Sequence, residues 1–249
     1  MIPGSVHVFA DAEAVSQAAA VEFVRCAREA VSARGRFRAA LSGGSTPRRM
    51  YQLLAAPPHR DQIDWAKTDL FWGDERAVPP DDPQSNYRMA KESLLDPAAV
   101  PAARVRRMRG EAADLDAAAR DYEAALRAAG GPPWLDLALL GMGPDGHTAS
   151  LFPGTAALDE ERRLAVAVEV PERGRRLTLT LPAFAGTRAL MFLCTGAAKA
   201  EALAAVLAPG SELPAARVIG RAPRTTIFCD LEAGRLIAPA GRPTGKATP

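Results

Sequence analysis

Cysteine and histidine are scarce in this chain of 249 residues, which has three of each. Cys26, Cys194 and Cys229 lie far apart in apolar runs, and no pair has the CxxC spacing. We therefore expect buried free thiols in a reducing compartment rather than a disulfide framework. So few histidines, with no cysteine pair beside them, leave little that could hold a catalytic zinc ion.

The chain also lacks an excess of charge of one sign. Its 31 basic and 29 acidic residues give a net charge of +2, whereas a nucleic-acid-binding protein usually carries a concentrated basic excess. No apolar run approaches the length that crosses a bilayer, and the first residues do not form a secretory signal pattern. We predict a soluble cytoplasmic protein that binds neither nucleic acid nor membranes.

Helical and strand patterns alternate along the chain. They predict helices over residues 11–33, 47–54, 85–95, 114–129 and 197–207, and strands over residues 37–41, 68–72, 137–140, 164–170, 177–181, 189–194 and 226–228. Asp11 is the expected N-cap of the first helix, which should stop near Gly35. This alternation favours an α/β fold with an open, mostly parallel sheet that has helices on both faces.

The length and the hydrophobic content of 48% suffice for one large α/β domain. No linker, repeat or low-complexity insert interrupts the body of the chain, so we assign residues 1–237 to a single domain. Residues 238–249 are rich in proline, glycine and threonine, and we expect a disordered C-terminal tail there. The oligomeric state leaves no signal in the sequence, and we favour a monomer.

The most informative stretch follows the strand of residues 137–140 and reads Gly141-Met142-Gly143-Pro144-Asp145-Gly146-His147. Glycines allow positive φ angles and close approach of a ligand to the backbone. Open α/β sheets bind ligands in loops at the carboxyl ends of their strands. A histidine in such a loop can act as an acid or a base near neutral pH. The alternative is that His147 only caps a turn, but its setting favours the functional interpretation.

The glycines of this loop also match the GxGxxG pattern of dinucleotide-binding folds, which we consider first. That pattern needs a long helix after the third glycine and an acidic residue about 20 positions later. Here Pro153-Gly154 interrupts the chain too early, and Arg162-Arg163-Leu164 stands where the acidic residue belongs. We therefore expect neither a nicotinamide nor a flavin cofactor.

A second glycine-rich loop, Ser42-Gly43-Gly44-Ser45-Thr46-Pro47, follows the strand of residues 37–41. Its backbone N–H groups, its hydroxyls and the helix N-terminus that follows resemble an anion-binding cradle. It lacks the lysine of a Walker P-loop and the second glycine of a GxSxG motif. An ordinary strand-to-helix turn is the alternative. Arg76 and Lys199, in other segments that follow strands, could supply full positive charges.

The triplet Asp74-Glu75-Arg76 also follows a strand, and we expect residues 73–79 to form a loop that lines the same cleft. A solvated charge run is the alternative. One of the two carboxylates should orient His147, while the arginine faces an anionic substrate. The carboxylates together with Asp145 and His147 would make a poor metal site, because they include no second histidine and no paired-ligand spacing. We predict neither a metal nor another cofactor.

Several segments, in order along nearly the whole chain (roughly residues 9–230), resemble the 6-phosphogluconolactonase family within the sugar-phosphate isomerase and deaminase superfamily. They are the Ser42–Pro47 loop, Asp74-Glu75-Arg76 with Ser85-Asn86, the run from Gly141 through His147 to Gly154, Arg176-Leu177-Thr178-Leu179-Thr180-Leu181-Pro182, and Gly196-Ala197-Ala198-Lys199. The resemblance implies a Rossmann-like sheet. It also implies metal-free hydrolysis of 6-phospho-D-glucono-1,5-lactone to 6-phospho-D-gluconate in the oxidative pentose phosphate pathway.

Two positions bear on this resemblance. Family members commonly carry an asparagine shortly after the Leu-Pro pair, where this chain has Ala185. Loss of the asparagine would weaken binding if it contacts substrate, and would change little if it braces a turn.

The related glucosamine-6-phosphate deaminases place a glutamate five residues beyond the histidine, where this chain has Phe152. Phenylalanine cannot transfer protons, so deamination is disfavoured. A non-catalytic sugar-phosphate-binding protein is a third possibility, but it would have no need of a base.

The chemistry of a lactone assigns the catalytic roles. Its carbonyl is already electrophilic, so the enzyme chiefly needs an activated water and control of the developing charge. We expect neutral His147 to take a proton from water and then to protonate the leaving ring oxygen. Asp74 should orient the imidazole ring and favour its charged form, and we expect Arg76 to help orient the ring. Backbone N–H groups of a glycine loop should receive the oxyanion.

The predicted contacts to substrate complete the site. The 6-phosphate carries roughly −1.5 to −2 charge at pH 7, which suits a cradle of hydroxyls and backbone amides with nearby cations. We assign substrate and phosphate binding to Ser42, Gly43, Gly44, Ser45, Thr46, Arg76, Lys199, Gly143 and Asp145.

Overall fold

Parallel strands form the central sheet of the computed structural model, which describes residues 4–237. The tail predicted over residues 238–249 lies outside the described residues. Numbered along the chain, the strands are β1 (Ser5–Phe9), β2 (Phe37–Leu41), β3 (Thr68–Trp72), β4 (Asp74–Arg76), β5 (Leu137–Leu140), β6 (Ala165–Val170), β7 (Gly174–Leu179), β8 (Leu190–Cys194) and β9 (Thr225–Asp230).

The central sheet has the strand order β1-β9-β8-β5-β2-β3, and all of its pairings are parallel. Every residue of β3, β5 and β8 is buried, as expected for parallel strands that are covered on both faces. The predicted Rossmann-like, mostly parallel α/β sheet is confirmed.

A second, smaller sheet is antiparallel and has the order β4-β7-β6. The expectation that residues 73–79 form only a loop is therefore wrong for residues 74–76, which pair with β7. Strands β6 and β7 also belong to this small sheet and not to the central one. Only three residues connect them, whereas a parallel crossover needs a dozen or more. The two strands therefore form an antiparallel hairpin.

Helices lie between the strands along the chain and pack around the central sheet. They are α1 (Ala12–Arg34), α2 (Ser45–Leu54), α3 (Asn86–Ala90), α4 (Leu115–Ala128), α5 (Leu181–Ala185), α6 (Ala200–Leu207), α7 (Pro214–Arg221) and α8 (Leu231–Gly234). A π-helical turn, Lys91–Leu95, continues α3, and a short 3₁₀ turn, Ala197–Lys199, precedes α6. Within residues 4–237 no helix is both long and apolar enough to cross a membrane.

The predicted ends of α1 are confirmed. The Asp11 carboxylate accepts a hydrogen bond from the Ala14 N–H at 2.8 Å, which satisfies one of the unpaired donors of the first turn. Gly35 ends the helix with φ at 73°, a left-handed conformation that glycine adopts without steric penalty.

All three cysteines are free and buried, as the sequence predicts. Loss of hydration raises the pKa of the Cys26 and Cys194 thiols to about 12 and that of Cys229 to about 11. They are therefore protonated and unreactive at neutral pH.

The position of the functional loops follows from the strand order. β2 and β5 are neighbours, with Ala39 opposite Leu137. Within the central sheet, the strand that follows β2 along the chain is β3, on one side, whereas the strand that follows β5 is β8, on the other side. Such a reversal opens a crevice at the carboxyl ends of the strands, and the two predicted glycine loops begin on its two sides.

Candidate active site

A cavity of about 340 Å³ lies at this crevice. Its walls come from the segments that follow β2, β3, β5 and β8, together with Asn86 and Arg176. Most of the residues that the sequence assigns to the site line this cavity: Ser42, Gly43, Gly44, Ser45, Thr46, Asp74, Arg76, Gly143, His147 and Lys199. Asp145 is not part of the lining and instead contacts His147.

The imidazole of His147 is held by Asp145. The ring Nδ1 lies 2.5 Å from Asp145 Oδ1, and the same oxygen accepts the His147 backbone N–H at 3.2 Å. The expectation that Asp74 orients this ring is therefore wrong, because a carboxylate two residues away in the same loop occupies Nδ1. Local geometry explains the outcome, since a short Asp side chain readily bonds to groups two residues further along.

Asp74 has other partners. Its Oδ2 accepts the Ser150 hydroxyl at 2.7 Å, and its Oδ1 accepts the Asn86 side-chain amide at 3.2 Å. The side chain is buried at the cavity wall, with 7% of the residue exposed. These donors fix Asp74 beside the cavity as a preorganised negative charge rather than as a partner of the imidazole.

Burial and charge set the protonation of the His147–Asp145 pair. Burial lowers the pKa of His147 and outweighs the opposite effect of Asp145. Burial acts to raise the pKa of Asp145, but the hydrogen bonds from His147 hold it below its ordinary value. At neutral pH the carboxylate is thus ionised and can only accept, so Nδ1 of the neutral ring carries the proton. The unprotonated Nε2 is then available as a base.

Two neighbours confine the imidazole ring. Phe152 stacks on it with ring centroids 4.0 Å apart and an interplanar angle of 26°. On Gly143, a Cβ atom would lie 2.0 Å from the ring Nδ1, so only glycine leaves room for the ring there. Phe152, which stands at the position of the deaminase glutamate, is therefore part of the histidine's packing.

The backbone amides of the His147 loop are partly occupied. The Gly143 N–H donates to the His147 carbonyl at 2.8 Å, and the Gly146 N–H donates to the Gly143 carbonyl at 3.1 Å. These two groups close the loop on itself. They are therefore not free to receive the oxyanion, for which the sequence predicts donors in a glycine loop without specifying which one.

The predicted anion cradle precedes and begins α2. That helix starts at Ser45, two residues before the predicted start at Pro47, so its N-terminal N–H groups lie at the cavity. The Ser42 hydroxyl oxygen is buried and has no hydrogen-bond partner among the described residues. The Thr46 hydroxyl lies 2.6 Å from that of Thr195, which ties the cradle to the segment after β8. The cradle therefore offers polar groups that the fold leaves uncommitted.

Two arginines stand side by side on the cavity wall. β4 pairs with β7 so that Arg76 lies opposite Arg176, and both residues line the cavity. Arg76 Nη1 donates to the Gln84 carbonyl at 2.7 Å and to the Asn86 side chain. Like charges at directly opposed positions destabilise a sheet. With Lys199 also in the lining, the arrangement favours an anion in the cavity.

Arg176 was absent from the predicted site. Burial lowers the pKa of its guanidinium, and its Nε is buried with no hydrogen-bond partner within residues 4–237. Only a weak indication of this residue is present in the sequence, because one hairpin carries three arginines close together, Arg173, Arg175 and Arg176. Only the pairing register shows which of them faces the cavity.

Glu75 is structural rather than functional. Its carboxylate accepts the backbone N–H groups of Arg76, Asn86 and Tyr87, each at 2.8 Å, and the Ser85 hydroxyl at 3.0 Å. The bonds from Ser85, Asn86 and Tyr87 tie β4 to the N-terminus of α3. Burial raises the pKa of Glu75. Among the described residues no group of three or more His, Cys, Asp or Glu side chains is placed to hold a metal ion.

The chain as a whole is similar to several known proteins. A sequence profile described as glucosamine-6-phosphate isomerases/6-phosphogluconolactonase matches residues 10–227. The chain is 40% identical over 229 residues to the 6-phosphogluconolactonase of Mycobacterium tuberculosis, covering 87% of this chain and 92% of that protein. It is 43% identical over 189 residues to that of a Synechocystis species, covering 74% and 77%. The solved structure of the 6-phosphogluconolactonase from Trypanosoma brucei has a TM-score of 0.86 at 27% identity, covering 96% and 100%.

Glu75→Gln should destabilise the protein although it changes only one oxygen. The amide nitrogen would face main-chain N–H donors and leave at least one of them unpaired, which lowers the free energy of unfolding by about 2 kcal/mol. Urea denaturation followed by circular dichroism measures this loss. The matched control is Glu92→Gln, since Glu92 is exposed and pairs with Arg88, and it should change stability little. Equal stability of the two variants would contradict the structural role of Glu75.

Proposed function

We propose that this chain, which belongs to the glucosamine-6-phosphate isomerase/6-phosphogluconolactonase family and acts as a 6-phosphogluconolactonase, opens its lactone with water activated by His147. The observation that carries the proposal is the state of this histidine. Its ring is partly buried and neutral, its Nδ1–H is held by ionised Asp145, and its Nε2 accepts no hydrogen bond from residues 4–237 and lies at a cavity lined by cationic groups.

The reaction uses the histidine twice. Nε2 takes a proton from a water molecule as the water oxygen attacks C1 of the lactone. The imidazolium that forms is stabilised by Asp145, whose charge is already in place. It then donates its proton to the ring oxygen as the C1–O bond breaks, which gives 6-phospho-D-gluconate and restores the neutral ring. No metal or organic cofactor enters these steps, and the absence of both remains a prediction, as do the monomeric state and the cytoplasmic location.

The phosphate group is the second half of the proposal. Lys199, Arg76 and Arg176 supply positive charge at the cavity, and the cradle of Ser42–Thr46 supplies hydroxyls and N-terminal N–H groups of α2. The partnerless Ser42 hydroxyl and Arg176 Nε are donors that an anion would satisfy. This arrangement suits a doubly charged phosphate ester.

A direct assay separates this function from its alternatives. Purified protein should accelerate the hydrolysis of 6-phospho-D-glucono-1,5-lactone, measured as acid release above the spontaneous rate. Glucosamine 6-phosphate should release no ammonia, because Phe152 cannot transfer protons. Ammonia release would instead place the chain among the deaminases, and tight binding of sugar phosphates without turnover of either compound would make it a non-catalytic binding protein.

Substitutions of the His147–Asp145 pair should act differently on the rate. His147→Asn should reduce kcat by about 10² to 10⁴, the usual value of general acid–base catalysis, with KM changed little. Asp145→Asn should reduce kcat less, and it should also move the acid limb of kcat/KM to lower pH, because the carboxylate that favours the imidazolium is gone.

Asp159→Asn is the control for this pair, since Asp159 is exposed and forms an ion pair with Arg217. A kcat near the wild-type value in His147→Asn would refute the assignment of the base. An acid limb that moves to higher pH in Asp145→Asn would refute the assigned partnership.

Removal of a cation from the cavity should weaken phosphate recognition. Lys199→Ala, Arg76→Ala and Arg176→Ala should each raise KM for the phosphorylated lactone by about 10- to 100-fold, as expected for a lost hydrogen bond between charged groups. The penalty should shrink for glucono-1,5-lactone, which has no phosphate. Lys67→Ala, at an exposed lysine paired with Asp64, is the control. Equal effects on both lactones would exclude the phosphate role.

A further inference from the structure

We propose that Arg173 and Phe152 are positioning residues, which hold the His147 imidazole and the Asp145 carboxylate in their hydrogen-bonded orientation. Together they also keep the imidazole neutral between turnovers. Neither side chain lines the cavity, so both would act through the pair rather than on the substrate. The expected effects on kcat rest on the function proposed above. The contacts among Arg173, Phe152, Asp145 and His147 concern the resting protein and do not depend on that function.

Phe152 connects the two charged groups. The imidazole of His147 stacks on its ring at 4.0 Å, and the Arg173 guanidinium carbon lies over the same ring, 5.0 Å from its centroid. Arg176 approaches this ring as well, at 5.7 Å. Phe152 itself is buried, with 5% exposed. A cation placed over an aromatic face is attracted by it, so one ring fixes the histidine plane and holds the arginine close to it.

Arg173 also engages the carboxylate that holds the histidine. Its Nη2 lies 3.6 Å from Asp145 Oδ2, while Oδ1 binds His147. Both carboxylate oxygens thus have a partner from a different direction. This arrangement opposes rotation of the carboxylate and keeps Oδ1 directed at Nδ1.

The turn that carries Arg173 is well defined. It joins β6 to β7, and the Arg173 N–H donates to the Val170 carbonyl at 3.0 Å. Glu172 and Gly174 on either side have φ angles of 62° and 74°. A hydrogen-bonded hairpin turn presents Arg173 in one direction, which a long loop would not do.

The charges that face His147 come from several elements, and they oppose one another. Asp145 in its own loop and Asp74 of β4 raise the pKa of the imidazole, whereas Arg173 from the β6–β7 turn lowers it. Arg176 of β7 lies against Phe152, and Arg76 and Lys199 line the cavity in front. Arg173 contacts the carboxylate of Asp145 and opposes its effect on the pKa of His147. Its removal should therefore have the opposite sign to the removal of Asp145.

The test is an NMR titration of the histidine side chains in the resting enzyme. The chain has only three histidines, so His147→Asn identifies the resonance of His147, while His7 and His59 serve as internal references. Arg173→Gln should move the titration midpoint of His147 upward by roughly half a pH unit, from the loss of one positive charge at close range. Arg173→Lys keeps the charge and should restore the midpoint, and Asp145→Asn should move it downward.

Arg175→Gln is the matched control. It removes one positive charge from the same hairpin, but Arg175 pairs with Glu169 and should leave the midpoint in place. A midpoint that stays or falls in Arg173→Gln would overturn the role of Arg173. A shift as large in Arg175→Gln would show a general effect of net charge, and would overturn it equally.

Kinetics test the part played by Phe152. Phe152→Leu keeps an apolar side chain but removes the stacked ring, and it should lower kcat roughly 10- to 100-fold through misplacement of the base, with KM for the lactone nearly unchanged. A loss confined to KM, or no loss in a variant with the wild-type melting temperature, would remove Phe152 from the proposal. If the protein failed to hydrolyse the lactone, the proposed function would fall, whereas the NMR shifts would still decide the role of Arg173.

Discussion

The parallel pairing of β2 with β5 is the contact on which the site depends. It places two loops from distant parts of the chain, residues 42–47 and 141–147, on either side of one crevice. Both strands are almost entirely buried, so slippage of their register would disrupt close packing of apolar side chains on both faces of the sheet. The core of the sheet therefore fixes the distance between the proposed phosphate cradle and the histidine.

The small antiparallel sheet gives the site its charge. Pairing of β4 with β7 sets Arg76 beside Arg176, and three hydrogen bonds of Glu75, from Ser85, Asn86 and Tyr87, hold β4 against the start of α3. Two adjacent cations are unfavourable in the empty protein and favourable once an anion lies between them. The small sheet thus gives up some stability at the proposed substrate site, as is common at functional sites.

The histidine is prepared by its surroundings before any substrate arrives. Burial keeps it neutral, Asp145 selects the tautomer with the proton on Nδ1, and contacts with Gly143 and Phe152 limit rotation of the ring. To act as the proposed base, His147 needs to be unprotonated at rest and yet able to hold a proton during the reaction. Opposed effects of burial and of a nearby carboxylate meet both requirements.

Local patterns in the chain foretold much of the fold and the location of the site. Helix caps such as Asp11, glycine stops such as Gly35 and apolar strand runs depend on neighbours in sequence, and they predicted the α/β class, most element positions and the segments that line the cavity. The edge strand β1 and the helix α7 were not predicted. All residues of β1 are exposed or half-buried, so this strand lacks the apolar run that marks the buried strands. Pairings between distant strands could not be seen in this way. The hairpin of β6 with β7, the strand at Asp74–Arg76 and the inclusion of Arg176 follow from three-dimensional register, since a side chain's partners depend on which backbone lies beside it rather than on its own residue type. The choice of Asp145 over Asp74 as partner of His147 depends instead on the conformation of a single loop, in which Asp145 and His147 are only two positions apart.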